Sequence, residues 1–252
     1  SPGSCATADG CEFFDSAITA GVDRAVQNGA KVINLSLGGS SPNNSLRNAI
    51  VRAANAGVVV VVSAGNDADS PTPSTDPNNP DPFATGLRQA GNGNVIIAGS
   101  VTNQGALSDF SNRAGSEANW YLTALGDRVC CVYEGSSPKI TVQNGQQFVT
   151  VISGTSFAAP QIAGAVALLR QAFPNLTAVQ TVNLLLGAAR DAGDAGIDTT
   201  YGQGILDIAQ AFAPQGTQSV ASTLAPLPAG DTTGSVSPAM GDAARNVPLS
   251  MV

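Results

Sequence analysis

The stretch "KVINLSLGG" (Lys31–Gly39) begins the part of the chain that decides the fold, because it reads as a strand running into two glycines. An amphipathic segment, "SLRNAIVRAANAG" (Ser45–Gly57), follows it with the apolar spacing of a helix. The valine run Val58–Val62 then has the composition of a buried strand. Strand, helix and strand in this order predict a parallel α/β unit.

Further elements extend this unit along the chain. Phe14, Ile18, Val22 and Val26 have helical spacing between Glu12 and Asn28. The other predictions are a proline-rich loop over 63–82, strands over 94–101 and 119–126, mixed β-structure and loop over 103–150, and helices over about 156–173, 175–189 and 201–212. The predicted fold class is α/β, a mostly parallel sheet with helices on both faces and a site at the carboxyl ends of its strands. Residues 1–213 form the predicted domain, and 214–252, rich in Pro, Ser, Thr, Gly and Ala, read as a linker or tail.

Composition excludes some classes of partner. The 252 residues carry a net charge of −7, with only 12% charged residues, which disfavours binding to nucleic acid or to an anionic membrane. No apolar run reaches the roughly 20 residues of a membrane-spanning helix. An acidic surface of this kind mainly serves solubility.

Four cysteines suggest an oxidising compartment. We expect a disulfide between Cys5 and Cys11, which flank a short loop. Cys130 and Cys131 are adjacent, so their Cα atoms lie about 3.8 Å apart, which is too close for an unstrained mutual bridge. They either seek different partners from the two faces of a strand or are two buried free thiols. The expected location is secreted, periplasmic or on the cell surface.

A candidate nucleophile lies in "ISGTSFAAPQIAGAVALLR" (Ile152–Arg170). Gly154 would let a substrate backbone approach, and Ser156 would lie in the first turn of a helix. Unpaired N–H groups and the helix dipole favour negative charge at that position. The alternative is an ordinary helix-capping serine.

Two more segments end strands with polar or small residues. In "VVVVVSAGND", Asn66 follows a buried strand, where its amide could donate to an oxyanion, although a turn asparagine would look the same. In "NLSLGG", Ser36–Gly39 could pair with an extended peptide, or could simply carry a glycine pair at the end of a strand.

Together these motifs resemble the subtilisin-like serine proteases (subtilases, family S8). "VINLSLGG", "VVVSAGND", "GTSFAAPQIAGAVALL" and "YGQGILDIAQA" occur in the family's order and approximate spacing, and "NVIIAGSVTNQGALSDFSN" is similar to the segment between the asparagine and serine motifs. The resemblance covers about Phe13–Phe212, and it implies an endopeptidase that acts through an acyl-enzyme.

The resemblance also implies roles for individual residues. Ser156 matches the nucleophile, and Asn66 matches the side-chain oxyanion donor, with the Ser156 backbone N–H as its companion. The residues implied in substrate binding are Ser36, Leu37, Gly38, Ser63, Ala64, Gly65, Gly154 and Thr155. The small walls at 36–38 and 63–65 suit a sizeable apolar side chain before the scissile bond. A second hypothesis is that Asp67 lies at the rim of that pocket and allows it to accept a basic side chain.

The chain contains no histidine. In the family the catalytic aspartate and histidine precede the region that this sequence covers. We therefore expect an N-terminal segment of the same precursor to supply both, and we expect the chain alone to be nearly inactive, because a serine hydroxyl needs an adjacent base. The related sedolisins use Glu and Asp instead, and Glu12 and Asp15 are the candidates here, although sedolisins carry an aspartate where this chain has Asn66.

Two functions without catalysis are also compatible with the sequence. The chain could be a binding module that holds a peptide in the same substrate groove, or a structural passenger domain. The tail is loosely similar to the linker of bacterial autotransporter subtilases. The chemistry needs no cofactor and no catalytic metal. Structural calcium is implied by the resemblance, with the Asp-rich loop Asp67–Asp81 as its place, and the alternative there is a solvated surface loop.

Overall fold

The computed structural model describes residues 12–130 and 133–213. The chain divides into two compact units between Asp207 and Ile208, and the described part of the second unit contains the short helix α6, Ile208–Phe212. The predicted Cys5–Cys11 bridge and the predicted tail 214–252 lie outside the described residues, so these predictions stay untested. So does the predicted domain boundary at 213.

A four-stranded sheet forms the centre of the first unit, with strand order β1-β2-β3-β4 and every pair parallel. The strands are β1 Val32–Leu35, β2 Val59–Ser63, β3 Val95–Val101 and β4 Tyr121–Leu125. Strands β2 and β3 are buried along their whole lengths, as their apolar runs predict. The predicted α/β class with a parallel sheet is confirmed.

Helices cover both faces of this sheet. They are α1 Asp15–Gln27, α2 Asn44–Asn55, α3 Pro82–Ala90, α4 Thr155–Ala172 and α5 Ala178–Gly187. Val60 and Val62 of β2 pack into one cluster with buried residues of α1, α2 and α3. Val59 and Val61 alternate to the opposite face, which α4 covers by contacting all four strands. This arrangement places the start of α4 beside the strand ends.

Local sequence fixes where the helices begin. The Asn43 side chain accepts a hydrogen bond from the Leu46 N–H at 3.0 Å and caps α2. Thr177 and Gln180 form a reciprocal capping box at the start of α5. Pro82 occupies the first turn of α3, where its missing N–H costs nothing.

Three small antiparallel pairs precede α4. They are β5 Val129–Cys130 with β10 Val151–Ile152, β6 Tyr133–Glu134 with β7 Ser137–Pro138, and β8 Ile140–Gln143 with β9 Gln146–Val149. This agrees with the predicted mixture of β-structure and loop. Cys130 is exposed and disulfide-bonded, so the alternative of a buried free thiol is wrong for this residue.

The structure corrects the predicted secondary structure at three places. Helix α3 was not predicted, because prolines on both sides of Asp81 read as loop. A 3₁₀ turn, Gly115–Trp120, occupies the start of the strand predicted from Asn119. The helix predicted over 201–212 begins only at Ile208, because the Asp198 carboxylate accepts two backbone N–H groups in a preceding turn. Among the described helices, none combines the length and apolar character needed to span a membrane.

Candidate active site

Ser156 is the second residue of α4. Gly154 caps the helix at a φ of 154°, which favours glycine, and the buried Thr155 is the first helical residue. The Ser36 hydroxyl donates to the Ser156 carbonyl at 2.8 Å, which ties the start of α4 to the end of β1. Within the described residues, neither the Ser156 N–H nor its hydroxyl has a hydrogen-bond partner. The helix therefore presents a free hydroxyl and a free N–H in its first turn.

Asn66 lies directly opposite this turn. It follows Gly65, whose φ of 110° turns the chain sharply after β2. Asn66 Oδ1 accepts the Thr155 N–H at 2.8 Å and the Thr155 hydroxyl at 3.0 Å. Because a backbone N–H must meet an oxygen, these contacts fix the amide orientation and leave Nδ2 as the free donor. A Cβ placed on Gly154 would lie 3.8 Å from that Nδ2, so the donor lies beside the residue that caps α4, two positions before Ser156.

The two predicted walls of the pocket are joined to each other. The Ser63 hydroxyl donates to the Leu37 carbonyl at 2.9 Å. Leu37 packs against the core, and Ala64 is completely buried, so their side chains point away from the substrate pocket. The surface that a substrate could reach is therefore formed by the glycines and polar groups beside them.

These walls enclose a cavity of about 1010 Å³. Seven of the predicted site residues line it: Gly38, Ser63, Gly65, Asn66, Asp67, Thr155 and Ser156. Ser36, Leu37, Ala64 and Gly154 lie beside it without lining it. The structure thus brings the predicted nucleophile, the predicted oxyanion donor and both walls to one place.

Asp81 and Asn112 were missed by the sequence analysis. Asp81 also lines the cavity, and its Oδ2 accepts the Gly39 N–H at 3.0 Å. Asn112 is buried, and its Nδ2 donates to both Asp81 Oδ1 and Asp67 Oδ2 at 3.1 Å. Burial raises the pKa of Asp81 from its ordinary 3.8 to about 7, and the neighbouring Asp67 carboxylate, which can accept a hydrogen bond from protonated Asp81, adds to the increase. The only local feature of Asp81 in the sequence is its position between Pro80 and Pro82, at the end of the predicted loop.

Asp67 is part of this network and is not a solitary charge at the rim. Its backbone N–H donates to Asn112 Oδ1 at 2.8 Å, so Asn112 holds both ends of the residue. Three aspartates of the 67–81 loop, Asp67, Asp76 and Asp81, accept hydrogen bonds from groups of the chain itself. Hydrogen bonds from Asn79 and Asn78 lower the pKa of Asp76. In the part of the chain described by the structure, no three His, Cys, Asp or Glu side chains form a metal-binding group. Calcium stays an untested prediction.

Glu12 and Asp15, the alternative acid pair, do not line the cavity. Asp15 Oδ2 accepts the Asn43 N–H at 2.6 Å, at the start of α2. This contact joins α1 to α2, so Asp15 has a structural partner away from Ser156.

Comparisons with known proteins agree with this architecture. The family model described as the subtilase family, Peptidase S8, matches residues 5–204. Subtilisin DY of Bacillus licheniformis is 34% identical over 193 residues, which are 77% of this chain and 61% of that protein. Mycosin-1 of Mycobacterium tuberculosis is 32% identical over 166 residues, 62% of this chain and 36% of that protein.

A solved structure is also similar. MycP1 with its N-terminal propeptide removed superposes with a TM-score of 0.60 at 28% identity, covering 78% of this chain and 66% of that one. The chain thus spans about three fifths of the length of subtilisin DY, and less of mycosin-1. By the family match over most of its length, this chain belongs to the subtilase family of serine proteases.

Proposed function

We propose that the whole protein is a serine endopeptidase and that Ser156 is its nucleophile. In this mechanism the Ser156 hydroxyl attacks a peptide carbonyl and forms an acyl-enzyme, which water then hydrolyses. The observation that carries the proposal is the position of Ser156 in the first turn of α4, where its hydroxyl and N–H are both free among the described residues.

Asn66 and the Ser156 N–H would stabilise the tetrahedral intermediate. Both are donors without a partner in the described residues, and Asn66 is held in its orientation by Thr155 before any substrate arrives. Donors fixed in advance stabilise developing charge without the cost of reorganisation. The backbone of the substrate would pair with the backbone of the wall that begins at Ser36.

The base would come from a segment outside these 252 residues, which carry no histidine. We infer that a segment N-terminal to this sequence supplies the histidine and the aspartate. The outer edge of β1 suits its docking, because β1 pairs only with β2 within the described sheet. Ser36 links the end of β1 to Ser156, so a segment paired along this edge would bring a base close to the nucleophile.

We also infer a secreted, periplasmic or cell-surface location, because the disulfide at Cys130 requires an oxidising compartment. A bacterial autotransporter is one arrangement compatible with that location. A bridge between Cys5 and Cys11 would serve the same compartment, and its mapping by mass spectrometry after non-reducing digestion would test it.

Labelling with a fluorophosphonate tests the proposed function, because the reagent modifies a serine only when a base activates it. We expect the full-length gene product to be labelled at Ser156 and Ser156→Ala to lose both the label and peptide cleavage. Ser16→Ala, an exposed serine on α1, is the matched control and should keep both.

An unlabelled Ser156 in the full-length protein would contradict the proposal. If that protein still bound peptides, and Ser156→Ala bound them equally well, a non-catalytic peptide-binding module would be the better description. An intact-mass spectrum of the same sample would show whether the N-terminal segment is present as a separate polypeptide.

A further inference from the structure

Asp81 stands between the two walls of the cavity. A Cβ on Gly38 would lie 2.5 Å from Asp81 Oδ2, and a Cβ on Gly65 would collide with Oδ1 of the same carboxyl group. Glycine at both positions therefore lets the carboxyl group reach across from one wall to the other. The side chain is held in the cavity that also contains Ser156.

This position is fixed from several sides. The Asp81 N–H donates to the carbonyl of Ala64 at 2.8 Å, the Gly39 N–H donates to Oδ2, and the buried Asn112 amide donates to Oδ1. The Asn112 carbonyl in turn accepts the hydroxyl of Tyr121, a fully buried side chain, at 2.6 Å. The carboxyl group is thus prepositioned by rigid elements.

No basic side chain neutralises the group. Among the ion pairs of the described residues, none involves Asp67 or Asp81. Arg47 lines the same cavity, but its Nε donates to the Pro42 carbonyl. The cavity therefore contains two adjoining half-buried carboxyl groups, from Asp67 and Asp81, without a salt-bridged cation. Removing such groups from water has a cost that a bound cation would offset.

We propose that this cavity selects a cationic side chain, lysine or arginine, at the residue before the scissile bond, and that Asp81 is the residue that determines this specificity. The inference rests on the proposed function and names its substrate class. It differs from the apolar preference that small walls alone suggest. With a pKa of about 7, Asp81 carries a proton in about half of the molecules at pH 7 before substrate binds, and a bound cation would favour its ionised form.

Binding of small probes tests this specificity without requiring catalysis. Benzamidine is a cation, and benzamide is its neutral counterpart of nearly the same shape. We expect the full-length protein to bind benzamidine about tenfold more tightly than benzamide by calorimetry. Asp81→Asn should abolish the preference, because the amide keeps the size of the side chain and one of its two acceptor oxygens but loses its charge. Asp69→Asn, an exposed charge outside this cavity, should retain it. Equal affinity for both probes in the wild type, or an intact preference in Asp81→Asn, would overturn the inference.

Cleavage of matched peptide anilides separates this inference from the proposed function. We expect kcat/KM for Lys and Arg substrates to exceed that for Phe by about tenfold or more, and this ratio to fall or reverse in Asp81→Asn. Cleavage that favours Phe, with no benzamidine preference, would refute the specificity while the protease function stands. No cleavage of any substrate and no label on Ser156 would refute the function, and the benzamidine comparison would still decide what the cavity binds.

Discussion

Asn66 and Thr155 are joined by two hydrogen bonds, from the Thr155 N–H and the Thr155 hydroxyl, both to Asn66 Oδ1. This pair connects the end of β2 with the start of α4, across 89 positions of sequence. It sets the direction in which the amide Nδ2 points. The side chain therefore combines a structural contact with a donor that the chain itself does not use.

The two functions of Asn66 can be separated by substitution. Asn66→Asp keeps an oxygen for Thr155 and removes the donor, whereas Asn66→Ala removes both. If Nδ2 stabilises the oxyanion, both variants should lower kcat by about 10²–10³-fold, a magnitude measured in subtilisin, a member of this family, with little change in KM. Steady-state kinetics of the full-length protein would check this. Near-normal kcat in Asn66→Asp would mean that only the contact with Thr155 matters.

Removing the Ser36 hydroxyl should have a smaller effect. Ser36 donates to the carbonyl of Ser156, so Ser36→Ala loosens the nucleophile without deleting a reacting group. One hydrogen bond contributes about 1 kcal/mol, which corresponds to a reduction in kcat of roughly fivefold. Ser36→Thr, which keeps the hydroxyl, should recover most of the loss. A reduction as large as that of Ser156→Ala would show that Ser36 takes part in the chemistry itself.

Asp81 makes stability depend on pH in a direction opposite to that of most carboxylates. The ordinary pKa of an aspartate is 3.8 and that of Asp81 in the folded protein is about 7, so between about pH 4 and pH 7 the folded state holds a proton that the unfolded state has released. The free energy of unfolding contributed by this group therefore falls as pH rises through that window and is constant above it. Asp67, Asp76 and Arg47 also line the cavity and can add charge effects of their own.

The difference between wild type and Asp81→Asn isolates this contribution. We expect the variant to gain stability relative to wild type as pH increases from about 4 to about 8. Urea unfolding of both proteins at several pH values would measure it. A difference that does not vary with pH would mean that Asp81 does not titrate in this range.

Tyr121 is hydrogen-bonded to Asn112, the residue that holds Asp81 and Asp67. Its side chain is fully buried, burial raises the pKa of its hydroxyl well above the ordinary value, and the neutral hydroxyl donates to the Asn112 carbonyl. Tyr121→Phe removes the shorter of the two hydroxyl hydrogen bonds to that backbone carbonyl and leaves the one from Ser111 at 3.2 Å, so we expect a loss of about 1 kcal/mol in the free energy of unfolding. Chemical denaturation would measure the loss. An unchanged midpoint would show that another donor replaces the hydroxyl.

The parts of this molecule that follow from local patterns were predictable. The valine run of β2 has the composition of a buried strand, and the apolar spacing after Asn175 predicts a helix whose first residue the structure places at Ala178. Ser156 and Asn66 were selected by the resemblance of their combined motifs to the subtilases, because the local pattern around each also fits a helix-capping serine or a turn asparagine. Their roles stay proposals, but the structure places both at one cavity.

The acidic centre of the cavity could not be predicted in this way. Asp81 and Asn112 are separated by 31 positions, and nothing in the sequence around either residue indicates that they meet. Helix α3 was missed for a related reason, because its stability comes from burying Phe83 and Leu87 against the rest of the chain, while its first residues read as loop. Tertiary contacts decide both features.

Helix α4 has a consequence for how activity would be lost. It lies against all four strands, and Ser156 is in its first turn, so the segment that positions the proposed nucleophile cannot unfold without opening the core. Amide protons in its buried middle should therefore exchange with solvent only through global unfolding. In such a protein, heat inactivation would report cooperative denaturation of the whole unit, and a partly unfolded species that keeps Ser156 in its folded position would not accumulate.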